Sequence, residues 1–436
     1  MLFVIASACT AAWVGFAIWV SEPWRDELER ALGPVMGWVI PILLAYIPGL
    51  VIGFMCFTLV FCRYREPPPE PPPGPWPEGE WPQLTIVVAA WNEEDSIART
   101  LEHIAATEYA GPVTIVLADN NSTDRTAELA ADAATRLGLD YRRVFEPEPG
   151  KFHALNAVLE TVTTDLVTTV DADTLLHPQA LTYLVARVTA RPQDQHVCAC
   201  AGALIAENAL ANYLTRMQQW DYRLGINGVK RMQAAYNSAL VAQGAFSIYW
   251  AEDVRAVGGW PDAIGEDIVL TWTMMDTRGI VQYEPLALSA TSVPTQLRHF
   301  MKQRSRWARG MFEGIVAVPP QRQPRVIAKA VASIDYLVPL LDIGFIFFWI
   351  PGVILFLFGY PLIFSWWSML LLPITLVIFG LLRRWQERHV FQPLDARPQA
   401  DRRGFIGYLF VYQALTSAAA LRGYGQYVAG STRSWK

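Results

Sequence analysis

Five carboxylates and a basic aromatic cluster stand in order through the middle of this sequence: Asp119, Asp171-Ala172-Asp173, Glu266-Asp267, then Gln303-Arg304-Ser305-Arg306-Trp307. An acid pair after an apolar run suits a hard divalent cation, Mg²⁺ or Mn²⁺, that bridges a carboxylate to the oxygens of a diphosphate. Asp173 is the favoured ligand. Gly265-Glu266-Asp267 precedes the amphipathic run Ile268 to Met275, which places both acids at a helix N-terminus. The helix dipole there favours the ionised form that a general base requires. Asp267, with Glu266 beside it, could take the proton of an attacking hydroxyl. Gln303, Arg306 and Trp307, spaced i, i+3, i+4, share one helical face. Arg306 could neutralise a leaving diphosphate, Gln303 could hydrogen-bond near it, and Trp307 could stack on a ring of the acceptor.

Each group also has a plainer role. Asp171 or Asp173 could cap a helix near His177-Pro178, Glu266 and Asp267 could merely cap their own helix, and Arg and Trp occur as interfacial anchors beside lipid headgroups. Asp119 opens the polar turn Ala-Asp-Asn-Asn-Ser-Thr-Asp-Arg-Thr, which could face a nucleobase and ribose, while Ser122 and Asp124 suit capping better. Lys151, in Gly150-Lys151-Phe152-His153-Ala154-Leu155-Asn156, is either a point charge for a phosphate or a solvated lysine.

The elements that must position these groups alternate short β-branched runs with amphipathic helices, the pattern of an α/β domain with a largely parallel sheet. Leu84 to Ala90, Val113 to Ala118 and Leu166 to Val170 read as strands, and the last two deliver Asp119 and Asp171 at their carboxyl ends. That is where open α/β sheets bind ligands. Ile97, Leu101 and Ile104 predict one buried helical face, and Val197 to Leu204 and Leu240 to Tyr249 are later strand candidates.

Around this domain the apolar residues, 53% of the chain, are blocked together. Leu2 to Val20, Ala31 to Cys62 and Ile343 to Leu382 carry no charge, and a crossing needs about 20 apolar residues. Gly359-Tyr360-Pro361 splits the third block into a hairpin of two spans, and Gly404 to Leu421 is a weaker fifth segment. Arg63 and Arg65 after the second span, and Arg383, Arg384, Arg388, Arg402 and Arg403 after the fourth, predict cytoplasmic edges. The central region is then cytosolic. A fifth full span would put the basic tail Arg422, Arg433 and Lys436 outside, whereas a re-entrant segment would not. Net charge of −5 gives no sign of nucleic-acid binding, and the five cysteines form neither a zinc spacing nor a disulfide framework.

The expected organisation is therefore two N-terminal spans (1–62), a Pro-rich linker (63–83), the α/β domain (84–294), amphipathic interfacial helices (295–332), a membrane hairpin (333–382), a basic cytosolic loop (383–403) and a last spanning or re-entrant segment with the tail (404–436). Asp335 and Asp342 lie on roughly one face at the start of the third span, as interfacial acids or as part of a polar path.

In combination, D, D-x-D, E-D and Q-x-x-R-W over residues 84 to 310 resemble glycosyltransferase family 2, in its processive membrane branch of cellulose, hyaluronan, chitin-oligosaccharide and poly-N-acetylglucosamine synthases. Ala90-Trp91-Asn92-Glu93-Glu94 is similar to the family's strand-one nucleotide-binding turn, with Ala90-Trp91 in place of the usual proline-tyrosine. The resemblance implies a Rossmann-like GT-A fold, with Asn92, Glu93, Asp119, Lys151 and Asp171 toward the donor nucleotide and its diphosphate. It puts Asp173 on Mg²⁺ or Mn²⁺ and makes Asp267 the base, with Glu266 beside it. Gln303, Arg306 and Trp307 fall at the pyrophosphate and acceptor, and Gln243 and Gly244 where the family lines its acceptor site. The run Lys230 to Tyr236 looks most like bacterial poly-β-1,6-N-acetylglucosamine synthases, which implies a UDP-N-acetylglucosamine donor, a growing polysaccharide acceptor, a multi-pass place in the bacterial inner membrane, and a small membrane subunit carrying any cyclic-di-GMP control. Two alternatives stand beside polymer synthesis: transfer of one sugar to a lipid carrier, and an inactive membrane scaffold or export partner.

Overall fold

The computed structural model describes residues 1–62, 81–189, 196–364 and 371–430. Most of the Pro-rich linker, with Arg63 and Arg65, lies outside them, as do Arg433 and Lys436 of the tail.

The strands are β1 (Leu84–Ala90), β2 (Val113–Asp119), β3 (Asp140–Phe145), β4 (Leu166–Asp171), β5 (Thr174–Leu176), β6 (Val197–Ala206), β7 (Phe246–Trp250) and β8 (Ile280–Thr291). They form one sheet in the order β3-β2-β1-β4-β7-β6-β8-β5. The half from β3 to β4 is parallel, but β7 runs antiparallel to β4 and β6, and β5 antiparallel to β8. The sheet is thus mixed, not largely parallel as the sequence pattern suggested. This is the GT-A fold.

Within the parallel half β1, β2 and β4 are largely buried, because helices cover both faces of the sheet there. Ile97, Leu101 and Ile104 are buried against it as their spacing predicts. Register then fixes the chemistry: Ala90 pairs with Asp119 and Ala89 with Asp171, so the two acids flank the carboxyl end of β1. Where a strand was expected from Leu240 to Tyr249, pairing starts only at Phe246; the first six residues form a loop along the site.

Four described helices are long and apolar enough to cross a membrane: Leu2–Val20, Pro34–Cys62, Val326–Leu357 and Arg402–Val428. The expected boundary at residue 333 falls inside the third. The last segment, weakest in the sequence, is a 27-residue helix. Gly359 turns the chain with φ of +90°, and Leu371–Gln386 follows as a 16-residue helix where the second arm of the hairpin was expected. Asp342 is 6% exposed and accepts hydrogen bonds from Ser417 Oγ at 2.6 Å and Tyr424 OH at 2.7 Å, so its carboxylate joins two of the long apolar helices.

Residues 297–317 form one helix, Leu297–Ala317, that does more than lie on a surface. Phe300, Arg304, Ser305, Arg309, Gly310, Glu313 and Gly314 are buried against the Glu266–Asp276 helix on one side and the Arg402–Val428 helix on the other. Arg304 and Arg309 are themselves buried and pair with Asp221 and Glu313.

Candidate active site

Asp119 is fully buried at the end of β2, where Ser122 N–H donates to it at 3.0 Å and Arg143 on β3 grips its other oxygen through Nε at 2.9 Å. Arg143 has no sequence motif; edge strand β3 carries it there. Asn92, in the left-handed region at φ of +54°, accepts from Thr123 N–H at 2.8 Å, while its own N–H donates to Ser122 Oγ. The β1 and β2 turns are thereby stitched into one wall. Asp124 accepts from Thr126 N–H at 3.0 Å and so caps the next helix, as its sequence suggested.

Asp171 ends β4, and Asp173 follows in the turn before β5. Since β5 intervenes and the next helix starts only at Ala180, neither acid caps that helix. Asp173 accepts from Thr291 Oγ1 at 3.2 Å, and burial, with the nearby charges of Asp171 and Glu93, pushes its carboxyl up to about 7. Burial also raises Glu93, against a hydrogen bond from Ser96 Oγ at 2.9 Å. Mutually repelling, half-desolvated carboxylates are a donor set that a divalent cation fits. Among the described residues no group of three or more His, Cys, Asp or Glu side chains gathers into a metal cage. One or two carboxylates suffice where substrate phosphates supply the rest.

Lys151 opens its helix and forms an ion pair with Asp171. The Asp171, Glu266 and Asp267 charges more than offset its burial, so the ammonium is held well above the usual lysine range. It is therefore not a solvated lysine. On the far side, Glu266 and Asp267 begin the Glu266–Asp276 helix. Burial, reinforced by the Asp267 charge, pushes Glu266 up to about 8, above the range that a helix N-terminus alone would favour. Asp267 accepts from Gly244 N–H at 3.3 Å.

Gly244 is where the two sides meet. A Cβ there would lie 2.7 Å from Lys151 Nζ and 3.8 Å from Glu266 Oε1. Its loop is held from all directions: Gln233 Oε1 takes Leu240 N–H, Lys230 Nζ donates to Val241 O, Thr271 Oγ1 takes Ala242 N–H, and Tyr249 OH donates to Ala242 O. Lys230 and Gln233 were legible only as a family-like run; they are the loop's struts. Gln243 turns inward and donates to Gly202 O at 2.7 Å, so its amide nitrogen is structural.

Gln303 and Arg306 present a buried Oε1 and a buried Nε with no hydrogen-bond partner among the described residues, while Trp307 is 40% exposed. These two polar atoms are open to a partner from outside the chain. Arg304, between them in sequence, points away: it donates to Tyr412 OH at 2.7 Å, pairs with Asp221 at 3.0 Å, and packs 4.0 Å from the Trp307 ring centroid.

The sequence profile described as "Glycosyltransferase like family 2" matches residues 82–310. An N-acetylglucosaminyltransferase of Mesorhizobium japonicum is 30% identical over 57% of this chain and 61% of its own. A poly-beta-1,6-N-acetyl-D-glucosamine synthase of Staphylococcus aureus is 30% identical over 53% of this chain and 55% of its own. The chain thus spans about half to three-fifths of the length of these curated relatives. A mannosyltransferase of Pyrobaculum calidifontis, solved with GDP-mannose and Mn²⁺, superposes with a TM-score of 0.59 over 90% of this chain and 99% of that one, at 19% identity.

Proposed function

The chain belongs to glycosyltransferase-like family 2, and from that premise we propose that it is a membrane-embedded, processive, inverting β-glycosyltransferase. It builds a polysaccharide from a UDP-sugar, UDP-N-acetylglucosamine, and passes the polymer across the bacterial inner membrane. Asn92, Glu93 and Asp119 hold the nucleoside, and Lys151 and Asp171 face the diphosphate. Asp173, with Asp171 beside it, holds a divalent cation, which when bound offsets charge on the diphosphate. Asp267 removes the proton of an acceptor hydroxyl as that oxygen bonds to the anomeric carbon and the bond to the diphosphate breaks. One base and one displacement invert the anomeric configuration. Arg306 and Gln303 receive the diphosphate, and Trp307 stacks on the acceptor's terminal ring.

The observation that carries this is the convergence on Gly244, where the donor-side ammonium of Lys151 and the carboxyls of Glu266 and Asp267 come together. The polymer part rests on Gln303, Arg306 and Trp307, and the four long apolar helices support the membrane setting. The similarity to N-acetylglucosamine enzymes supports the donor. A separate membrane subunit would carry any cyclic-di-GMP control.

The test is to incubate the full chain in detergent with labelled UDP-N-acetylglucosamine and Mn²⁺. A high-molecular-weight ladder digestible by a β-1,6-specific hydrolase is expected. A single organic-soluble product would replace this with transfer to a lipid carrier, and turnover indifferent to Asp267→Asn would remove the mechanism.

A further inference from the structure

The helix that carries Glu266 and Asp267 starts without a cap of its own, since Gly265 stands at its N-cap and offers no side chain. Its approach is held from elsewhere. Glu313 Oε2 accepts from Ile264 N–H at 2.7 Å and from Gly265 N–H at 3.4 Å, and Glu313 Oε1 accepts from Arg309 Nε at 3.3 Å. Glu313 is buried on the Leu297–Ala317 helix, seven residues beyond Arg306 and so on the same face, and just past the residues the family profile matches. The two helices also touch backbone to backbone. A Cβ on Gly265 would stand 2.6 Å from Gly310 Cα, one on Gly310 2.8 Å from Gly265 Cα, and one on Gly314 2.7 Å from Ile268 Cγ2.

We infer that Glu313 is a positioning residue for Asp267: its carboxylate fixes the Ile264-Gly265 turn, and that turn sets where the base stands against Gly244. This rests on Asp267 acting as the base. The donor wall is built on β1, β2 and β4, none of which Glu313 touches through these bonds, so the effect falls on transfer and not on donor binding. One rigid helix thereby carries both the diphosphate and acceptor contacts at 303–307 and the strut that places the base.

The experiment uses the full chain in detergent, with UDP binding measured calorimetrically and kcat taken at saturating UDP-N-acetylglucosamine per folded protein. Glu313→Ala should lower kcat by about 100-fold, the scale of a 1 Å misplacement, with the UDP Kd within twofold of wild type. Glu313→Gln, whose amide oxygen can accept the same N–H groups, should restore kcat to within about threefold. Gly310→Ala, which pushes the turn away, should fall in the same direction as Glu313→Ala. An Ala variant with kcat within threefold of wild type overturns the inference, as does a Gln variant as impaired as the Ala one, or a UDP Kd that worsens in step with kcat. Asp267→Asn separates the two levels. If it stays active, the base assignment fails and takes the inference with it; if it is inactive while Glu313→Ala turns over normally, only the role of Glu313 fails.

Discussion

Replacing Gly244 with alanine is expected to weaken donor binding about tenfold while leaving the fold intact. The added methyl would sit 2.7 Å from Lys151 Nζ, against 3.4 Å for ordinary contact, so the ammonium must retreat by about 0.7 Å. Gly244 is not among the glycines with positive φ, so alanine meets no backbone strain. The displaced atom ends a flexible chain, which keeps the folding cost under about 1 kcal/mol, or ~2–4 °C in Tm. What is lost is the alignment of Lys151 with Asp171 and with the diphosphate. One hydrogen bond to a charged group is worth about 1.5–3 kcal/mol, and 1.4 kcal/mol is tenfold in Kd. The assay is calorimetric titration of the full chain with UDP-N-acetylglucosamine and Mn²⁺, beside thermal unfolding, for Gly244→Ala, Lys151→Ala and the double variant. The double variant should bind no worse than Lys151→Ala alone, because both changes act through one ammonium. Fully additive losses would refute the reasoning, since the methyl would then be obstructing the sugar directly; an unchanged Kd in Gly244→Ala would refute it as well.

Asp267→Asn should cut kcat by about 10²–10⁴-fold, with donor Kd within threefold, checked by single-turnover transfer. Chelating divalent cations should abolish transfer, with Mn²⁺ or Mg²⁺ restoring it, and Asp173→Asn should raise the metal concentration required by at least about tenfold, read from metal-titrated activity. Glu266 binds its proton more tightly folded than unfolded, so its stability contribution is complete below pH 4.5 and is lost as the pH rises through about 8. Tm should therefore fall between pH 5 and 8.5, and Glu266→Gln should flatten that fall.

Much of the donor wall was legible because its strands are buried on both faces and end in acids. β1 starts and stops where its apolar run does, and β2 and β4 each extend one residue further to include their acid. Edge strand β3 was not legible: Asp140, Arg142, Arg143 and Phe145 are exposed, so its sequence carries no burial period, and with it went Arg143 as the partner of Asp119. Leu240 to Ala245 imitates a strand in composition, and only groups far along the chain, among them Thr271 and Trp272, make it a loop. The basic stripe on the Leu297–Ala317 helix has the composition of an interfacial helix. Two of its arginines turn inward because Asp221 lies 83 residues before Arg304 and Glu313 one turn after Arg309, pairings that spacing alone does not announce. Glu313 belongs to no motif of the sequence.

The contact between Gly265 and Gly310 bears on how this site can vary. With backbone already against backbone, any side chain at either position can only lengthen the distance between the base-bearing turn and the helix behind Trp307, never shorten it. Variation there is one-sided, so a search for faster transfer or for other acceptors has room at Trp307 and its exposed surroundings, while positions 265 and 310 act as a stop.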